Sequence, residues 1–318
     1  MNTSHDKSKF QSILYYLFAG ILATFFFIFL MTDVVSAFAS GLYPLLRVLY
    51  KATLAPLLGP AAAQSGLLYF TFLIYWAAML IPMLVIKPWR PYLKCLGTKP
   101  SGNRIGMLLA GLAVGFVMNG FCILAAILTG SIHGLTFVQF EPLKLLILLV
   151  LVFIQSSCEE MWNRCFVYQR LLRFCGLPVA IIGNAAYFTY MHRSNSGVSL
   201  LAFANIFAIG IFFSLVVYYC DSLWMTMAIH TAWNFTQNFL FGLPNSGEES
   251  LYCLFKPNGS CTSGIAYDAV FGVEGSWVCL FVVLAAIALI ILWGSRHPGT
   301  HFAPCESNPD AADQAAAA

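Results

Sequence analysis

Charged residues are scarce in this sequence. Only 9% of its 318 residues are Asp, Glu, Lys or Arg, whereas 60% are hydrophobic and the mean hydropathy is +0.80. Soluble domains carry about 25% charged residues, so the composition excludes an ordinary soluble protein and indicates a membrane protein. The sequence also lacks a basic run interleaved with aromatic residues, which argues against nucleic acid as a partner.

Paired cysteine motifs are absent as well, because none of the ten cysteines has CxxC spacing. Most of them lie in apolar stretches, where cysteine behaves as a small hydrophobic residue. Cys253 and Cys261 differ, since both lie in a polar loop. The sequence leaves open whether a disulfide joins them in an oxidising compartment.

Long apolar runs are abundant, and a membrane-spanning helix needs roughly 20 mostly apolar residues. Eight stretches are predicted to span: 11–31, 66–86, 105–129, 143–172, 177–193, 198–219, 223–242 and 276–294. We therefore expect an all-α fold, a polytopic bundle of about eight transmembrane helices. Segment 41–60, with two basic residues and several prolines, is expected to be interfacial instead.

The predicted domains follow from these spans. Residues 1–10 form a short N-terminal segment, 11–294 the membrane domain, and the polar tail 295–318 is expected to be disordered. With the N-terminus inside, ten Lys and Arg residues lie on the inner side and five on the outer side. By the positive-inside rule both termini are cytoplasmic, and loop 243–275 faces outward. The host membrane is the plasma (inner) membrane in a bacterium and the ER membrane in a eukaryote.

The fourth predicted span contains three charged residues, Glu159, Glu160 and Arg164. A charge at mid-membrane costs about 2.5–3.5 kcal/mol, so each of them needs a partner or a function. Arg164 follows Glu160 by four residues, the spacing of an ion pair on one helical face. Glu159 points about 100° away and has no partner on its own helix, so it is the better candidate for a general base.

Two further predicted spans carry polar groups within apolar sequence. His192 ends the fifth span, and the seventh contains His230 and Asn234 at i, i+4 spacing on one face. The candidate site therefore lies between predicted helices four, five and seven. The sequence leaves its chemistry open. His192 and His230, with Glu159 and Asn234, can hold a zinc ion, or they can form a metal-free site that stabilises an oxyanion.

Three motifs occur in order on separate apolar helices: Glu159-Glu160-x-x-x-Arg164, Phe188-x-x-x-His192 and His230-x-x-x-Asn234. Together they resemble the motifs of the CPBP intramembrane proteases, the CAAX-processing and bacteriocin-processing family. The resemblance covers a motif core over 150–242. Asn163 and Cys165 depart from the family pattern, since relatives often carry an aromatic residue and glycine there.

The resemblance implies an eight-span helical core and hydrolysis of a peptide bond by an activated water. Glu159 would be the general base, and Glu160 and Arg164 would stabilise the site. His192, His230 and Asn234 would polarise the carbonyl or bind zinc, because the family includes enzymes described as glutamate proteases and others described as metalloproteases. The implied partners are a peptide or membrane-protein substrate and the lipid bilayer.

Other classes of intramembrane protease require sequence patterns that do not occur here. HExxH is absent, no span holds a pair of aspartates with GxGD, and Gly130-Ser131 lies at a helix end without the pattern of a serine intramembrane protease. A proton-coupled transporter remains an alternative, although no internal repeat is visible. A catalytically silent scaffold or immunity protein of the same fold is the other. The sequence does not indicate the substrate or the oligomeric state.

Overall fold

A computed structural model describes residues 3–98 and 100–297 of the chain, with side chains from residue 20 onward. Most of the predicted tail, from residue 298, lies outside the described residues. So do Lys99 and the side chains of Lys7 and Lys9, three of the inner-side charges. Residues 3–10, predicted as a separate N-terminal segment, are the first turns of a helix.

Most of the described residues are helical and strands are nearly absent, which confirms the predicted polytopic bundle. The α-helices are α1 Thr3–Thr53, α2 Ala55–Phe70, α3 Phe72–Val85, α4 Ile105–Leu128, α5 Pro142–Glu160, α6 Tyr168–Cys175, α7 Leu177–Met191, α8 Leu200–Cys220, α9 Leu223–Phe235 and α10 Trp277–Ser295. Two 3-10 segments, Lys87–Cys95 and Val273–Gly275, and two π-helical segments, Met161–Val167 and Thr236–Leu240, complete the helical structure.

Six helical stretches in the described part are long and apolar enough to cross a membrane: Gly20–Thr53, Ala55–Val85, Ile105–Leu128, Pro142–Cys175, Leu200–Cys220 and Trp277–Ser295. The fifth predicted span corresponds to α7, with 15 residues, and the seventh to α9 together with the π-helical segment that continues it to Leu240. Nearly every residue of α9 is buried by protein. A helix enclosed in this way meets no lipid and need not be a long apolar rod.

Helix α1 is longer than the sequence predicts. It continues through Pro44, Arg47 and Lys51 as far as Thr53, so the expected interfacial segment 41–60 is largely helix. The chain bends only afterwards, at Gly59, whose φ of 71° is accessible to glycine at little cost. Large apolar side chains along α1 remain exposed, such as Phe26 at 72%, as lipid-facing residues would be.

Helices α4 and α9 pack with their backbones in close approach. A Cβ atom at Gly111 would lie 2.5 Å from the Met225 carbonyl oxygen, and one at Gly115 would lie 2.3 Å from that of Ile229. Small residues at four-residue spacing permit such contacts in membrane bundles. This packing fixes α9, which carries His230.

The turn between α8 and α9 is anchored to the segment before α4. Asp221 adopts a left-handed conformation and accepts hydrogen bonds from the backbone N–H and the hydroxyl of Ser101 at 2.5 and 2.7 Å. Asn103 Oδ1 accepts the N–H groups of Leu223 and Trp224 at 2.9 and 3.1 Å, which otherwise lack partners at the start of a helix. The start of α9 is therefore held in place.

Loop 243–275, at the opposite end of α9, folds back onto the bundle. Its strand β2, Phe255–Pro257, pairs antiparallel with β1, Leu135–Phe137. Tyr267 and Phe271 in the loop are buried. Cys253 and Cys261, for which the sequence left a disulfide open, are both free.

Candidate functional site

The two adjacent glutamates lie where α5 changes to the π-helical segment Met161–Val167. Glu160 ends α5, and Arg164 lies within the π segment. The wider π turn still allows the predicted i, i+4 pair, because Arg164 Nη1 lies 3.1 Å from Glu160 Oε1. Single-turn π insertions are frequent at functional sites.

Glu160 binds two partners through one oxygen. In addition to Arg164, Oε1 lies 3.0 Å from Nδ1 of His230 on α9. Both Glu160 and Arg164 are fully buried, and the Arg164 guanidinium also lies 4.5 Å from the centre of the Phe188 ring. Since a carboxylate accepts, His230 Nδ1 carries the proton and Nε2 is the basic nitrogen of the neutral ring. Glu160 therefore orients His230 as well as neutralising Arg164.

Glu159 projects to a different side, as predicted. Its Oε1 accepts a hydrogen bond of 2.5 Å from Gln155 Nε2. Its Oε2 is buried and has no hydrogen-bond partner within the described part of the chain. His230 Nε2 lies 3.9 Å from this oxygen, Glu159 Oε2. This separation is too long for a direct hydrogen bond, but one oxygen atom can lie within hydrogen-bond distance of both.

Gln155 is a site residue that the sequence analysis missed. One end of its amide donates to Glu159, and its Oε1 accepts from Asn234 Nδ2 at 3.1 Å. It therefore links the carboxylate on α5 to the amide on α9. A glutamine one helical turn before Glu159 in an otherwise apolar helix was the available signal.

A chain of buried polar side chains holds the Glu159 backbone. Asn163 Nδ2 donates to the Glu159 carbonyl oxygen at 2.8 Å. Asn184 Nδ2 on α7 donates to the Asn163 carbonyl oxygen at 2.8 Å, and its Oδ1 accepts from the Ser214 hydroxyl at 3.2 Å. All of these side chains are buried. The Asn163 side chain thus bonds within its own helical stretch, and the link to α7 and α8 runs from its backbone carbonyl through Asn184 to Ser214.

Four of the predicted site residues line one cavity of about 450 Å³: Glu159, His192, His230 and Asn234. Glu160 and Arg164 do not line it and lie behind His230. His192 caps the C-terminus of α7, where Nδ1 lies 2.8 Å from the Phe188 carbonyl oxygen. A carbonyl can only accept, so the Nε2 atom of His192 remains for other partners.

The outer loop contributes to the same cavity. Asn245, Ser246, Glu248 and Glu274 are among the lining residues, so the cavity reaches the end of the bundle opposite segment 87–104. Glu274 accepts from Trp233 Nε1 at 2.9 Å and from the Ser246 N–H at 2.8 Å. Burial raises the pKa of the Glu274 carboxyl above its usual range, and these donors oppose that shift. Glu274 belongs to loop 243–275, which is predicted to face outward, and its sequence context gives no sign of these contacts.

The zinc interpretation requires at least three ligands that converge. Among residues 20–98 and 100–297, no group of three or more His, Cys, Asp and Glu side chains is arranged to hold a metal ion. Nδ1 of His230 contacts Glu160 and Nδ1 of His192 contacts a backbone carbonyl, so Nε2 is the nitrogen that each histidine could offer to a metal. As placed, His192, His230 and Glu159 do not converge as three ligands among the described residues, and His230 is the histidine that approaches Glu159.

The motif-bearing part of the chain is similar to a known protein family. Residues 140–236 match the family described as type II CAAX prenyl endopeptidase Rce1-like. This segment is similar to CAAX-type membrane endopeptidases. The CAAX-type segment is just under a third of the chain and includes all six predicted site residues, which confirms the resemblance seen in the motifs. No curated protein and no solved structure matched the chain.

Proposed function

We propose that this integral membrane protein is an endopeptidase that hydrolyses a peptide bond within or at the edge of the bilayer, with a water molecule activated by Glu159. The observation that carries the proposal is the unpartnered Oε2 of Glu159, 3.9 Å from His230 Nε2 in the cavity. The family match supports a CAAX-type protease in general.

The geometry supports a water site between these two atoms. Glu159 Oε2 and the unprotonated His230 Nε2 are both acceptors, so a bridging water would donate one O–H to each of them. Its lone pairs would then face away from both groups, toward a bound peptide. Glu160 favours this state because it keeps the proton of His230 on Nδ1.

The proposed reaction uses groups already in position. The water oxygen attacks the peptide carbonyl carbon while Glu159 takes one water proton. Donors then stabilise the oxyanion that forms: Asn234 through Nδ2, and His192 through Nε2 when it is protonated. The C–N bond breaks, and Glu159 returns the proton to the leaving nitrogen. The products are a carboxylic acid and an amine.

The proposed steps use the side chains of the chain alone, and a zinc-dependent mechanism is the alternative to be tested. The test is metal analysis of the purified protein. We expect less than about 0.1 equivalent of zinc in the wild type and cleavage that survives a chelator. About one equivalent of zinc that is lost in the His192→Ala/His230→Ala variant would replace this mechanism with a zinc-dependent one.

The decisive experiment compares the wild type with Glu159→Gln in detergent or nanodiscs, with a peptide library and mass spectrometry of the products. We expect Glu159→Gln to reduce the cleavage rate about 10²- to 10⁴-fold, the usual contribution of a general base, without a change in melting temperature. Glu141→Gln is a matched control, since Glu141 pairs with Lys144 and lies away from the cavity.

Two outcomes would contradict the proposal. Cleavage that persists in Glu159→Gln would assign the base to another residue. If no preparation cleaves any peptide and the cellular function survives Glu159→Gln, the chain is better explained as a scaffold of the same fold.

The predicted orientation, with both termini cytoplasmic, belongs to the same proposal and is tested by labelling single cysteines in loop 243–275.

A further inference from the structure

The cavity around Glu159 is strongly asymmetric in charge. Its lining contains Glu159, Glu248 and Glu274 but neither lysine nor arginine among the described residues. A second cavity, of about 410 Å³, lies beside it between α1, α2, α3 and loop 243–275. The two share Glu248, and the second adds Glu249, again without a basic residue in its described lining.

The unsatisfied polar atoms of the main cavity point to the same chemistry. Two buried side-chain atoms of its lining residues have no hydrogen-bond partner in the described structure: Glu159 Oε2 and Asn163 Oδ1. Both are acceptors. Asn163 is fully buried, and its Nδ2 is already bonded to the Glu159 carbonyl oxygen, so the amide presents its oxygen as the unpaired end. Buried acceptors without donors are costly; the proposed water supplies a donor to Glu159 Oε2, and an N–H group of a bound peptide would supply one to Asn163 Oδ1.

Basic residues of the neighbouring segments are engaged elsewhere. Arg193, next to His192, stacks on Tyr190 at 3.9 Å and donates to the Tyr190 carbonyl oxygen. Lys144 forms an ion pair with Glu141 at 2.6 Å. A carboxylate or an acidic side chain in the cavity would therefore face several glutamates, and His192 and His230 are the lining residues that could carry a positive charge.

We propose that the site takes peptide segments that carry lysine or arginine near the cleaved bond, with their basic side chains at Glu248 and Glu249. We call these two exposed residues the acidic rim. The inference rests on the proposed function and specifies its substrate class. Complementary charge at a rim acts mainly on association and on the choice of partner, and salt screens it over about 10 Å at 0.1 M.

The experiment measures binding rather than cleavage. Full-length Glu159→Gln protein in zwitterionic nanodiscs is titrated with two fluorescent peptides that have the same length and apolar core. One carries two lysines and an arginine, and the other carries three glutamates. At about 20 mM salt we expect the basic peptide to bind at least tenfold more tightly, and Glu248→Gln/Glu249→Gln to remove about tenfold, severalfold for each exposed ion pair.

Two further variants sharpen the test. Glu248→Lys/Glu249→Lys should invert the preference, while Glu141→Gln, an acidic residue away from both cavities, should leave it unchanged. Equal binding of the two peptides, or a preference that survives the rim variants, would overturn the inference.

Wild-type cleavage separates this inference from the proposed function. Cleavage with no charge preference would overturn the substrate class and leave the protease proposal standing. Rim-dependent binding without any cleavage would support the substrate class and overturn the protease proposal.

Discussion

Glu160 offers the most informative perturbation, because one oxygen serves two partners with different functions. Glu160→Gln keeps the size of the side chain and one acceptor but removes its charge. Arg164 is fully buried and Glu160 is its ion-pair partner, so the variant leaves a buried cation uncompensated. His230 loses the carboxylate that holds its proton on Nδ1.

The two losses have different magnitudes and can be separated. Removal of one partner of a buried ion pair costs about 3–5 kcal/mol of stability, whereas replacement of both by apolar groups is often neutral. We therefore expect Glu160→Gln to destabilise the protein by about 3 kcal/mol and Glu160→Gln/Arg164→Met to recover most of that loss. Activity should not recover, because exchange of a histidine-orienting carboxylate for an amide reduces kcat by up to about 10⁴-fold in serine proteases.

The assay combines thermal unfolding in one detergent with the cleavage rate per folded molecule. Arg164→Met alone is the third corner of the cycle, and it should lose stability because the buried carboxylate of Glu160 then keeps only His230 as a partner. If the double variant regains both stability and activity, Glu160 acts only as the partner of Arg164, and the inferred orientation of His230 is wrong.

Three further predictions follow from packing, positioning and protonation. Gly115→Ala should lower the melting temperature and the activity, because its Cβ would lie 2.3 Å from the Ile229 carbonyl oxygen, whereas Gly120→Ala on the same helix meets open space and should be neutral. Asn184→Leu removes the link between α7 and the Asn163 carbonyl and should reduce kcat about tenfold with KM little changed; an effect on KM alone would contradict a positioning function. The pKa of Glu274 is raised in the fold, so its contribution to stability is present below the unfolded value and declines as pH rises through the folded one. The melting temperature of the wild type minus that of Glu274→Gln should therefore fall as the pH rises above 4.5, the ordinary value of a glutamate, and a difference that does not change with pH would contradict the assignment.

The helices and the motif residues were predictable because the signals for them are local. Apolar runs of sufficient length mark α4, α8 and α10, and the charges within the fourth predicted span identify Glu159, Glu160 and Arg164 as exceptional. The distinction between the two glutamates also follows from helical geometry, since adjacent residues point about 100° apart.

The remaining features depend on contacts between distant segments. No pattern in the sequence indicates that His230 shares Glu160 with Arg164, because that contact joins residues 70 positions apart. Glu274 looks like a loop charge until its donors on α9 and in the loop are known. The extent of α1 was underestimated because proline and basic residues were taken as signs of an interface, while the helix continues through them.

The length of α1 links the site to the surrounding lipid. Its stretch Gly20–Thr53 has 34 residues, about 51 Å at 1.5 Å per residue, whereas the hydrocarbon core is about 30 Å thick. A helix so mismatched must tilt or extend into the headgroup region. Thr32 and Ser36 of this helix line the main cavity, and Ser40 and Tyr43 line the second one. A change in bilayer thickness would change the tilt of α1 and so move the part of both cavity walls that this helix forms. The shape of the site would therefore depend on the composition of the membrane.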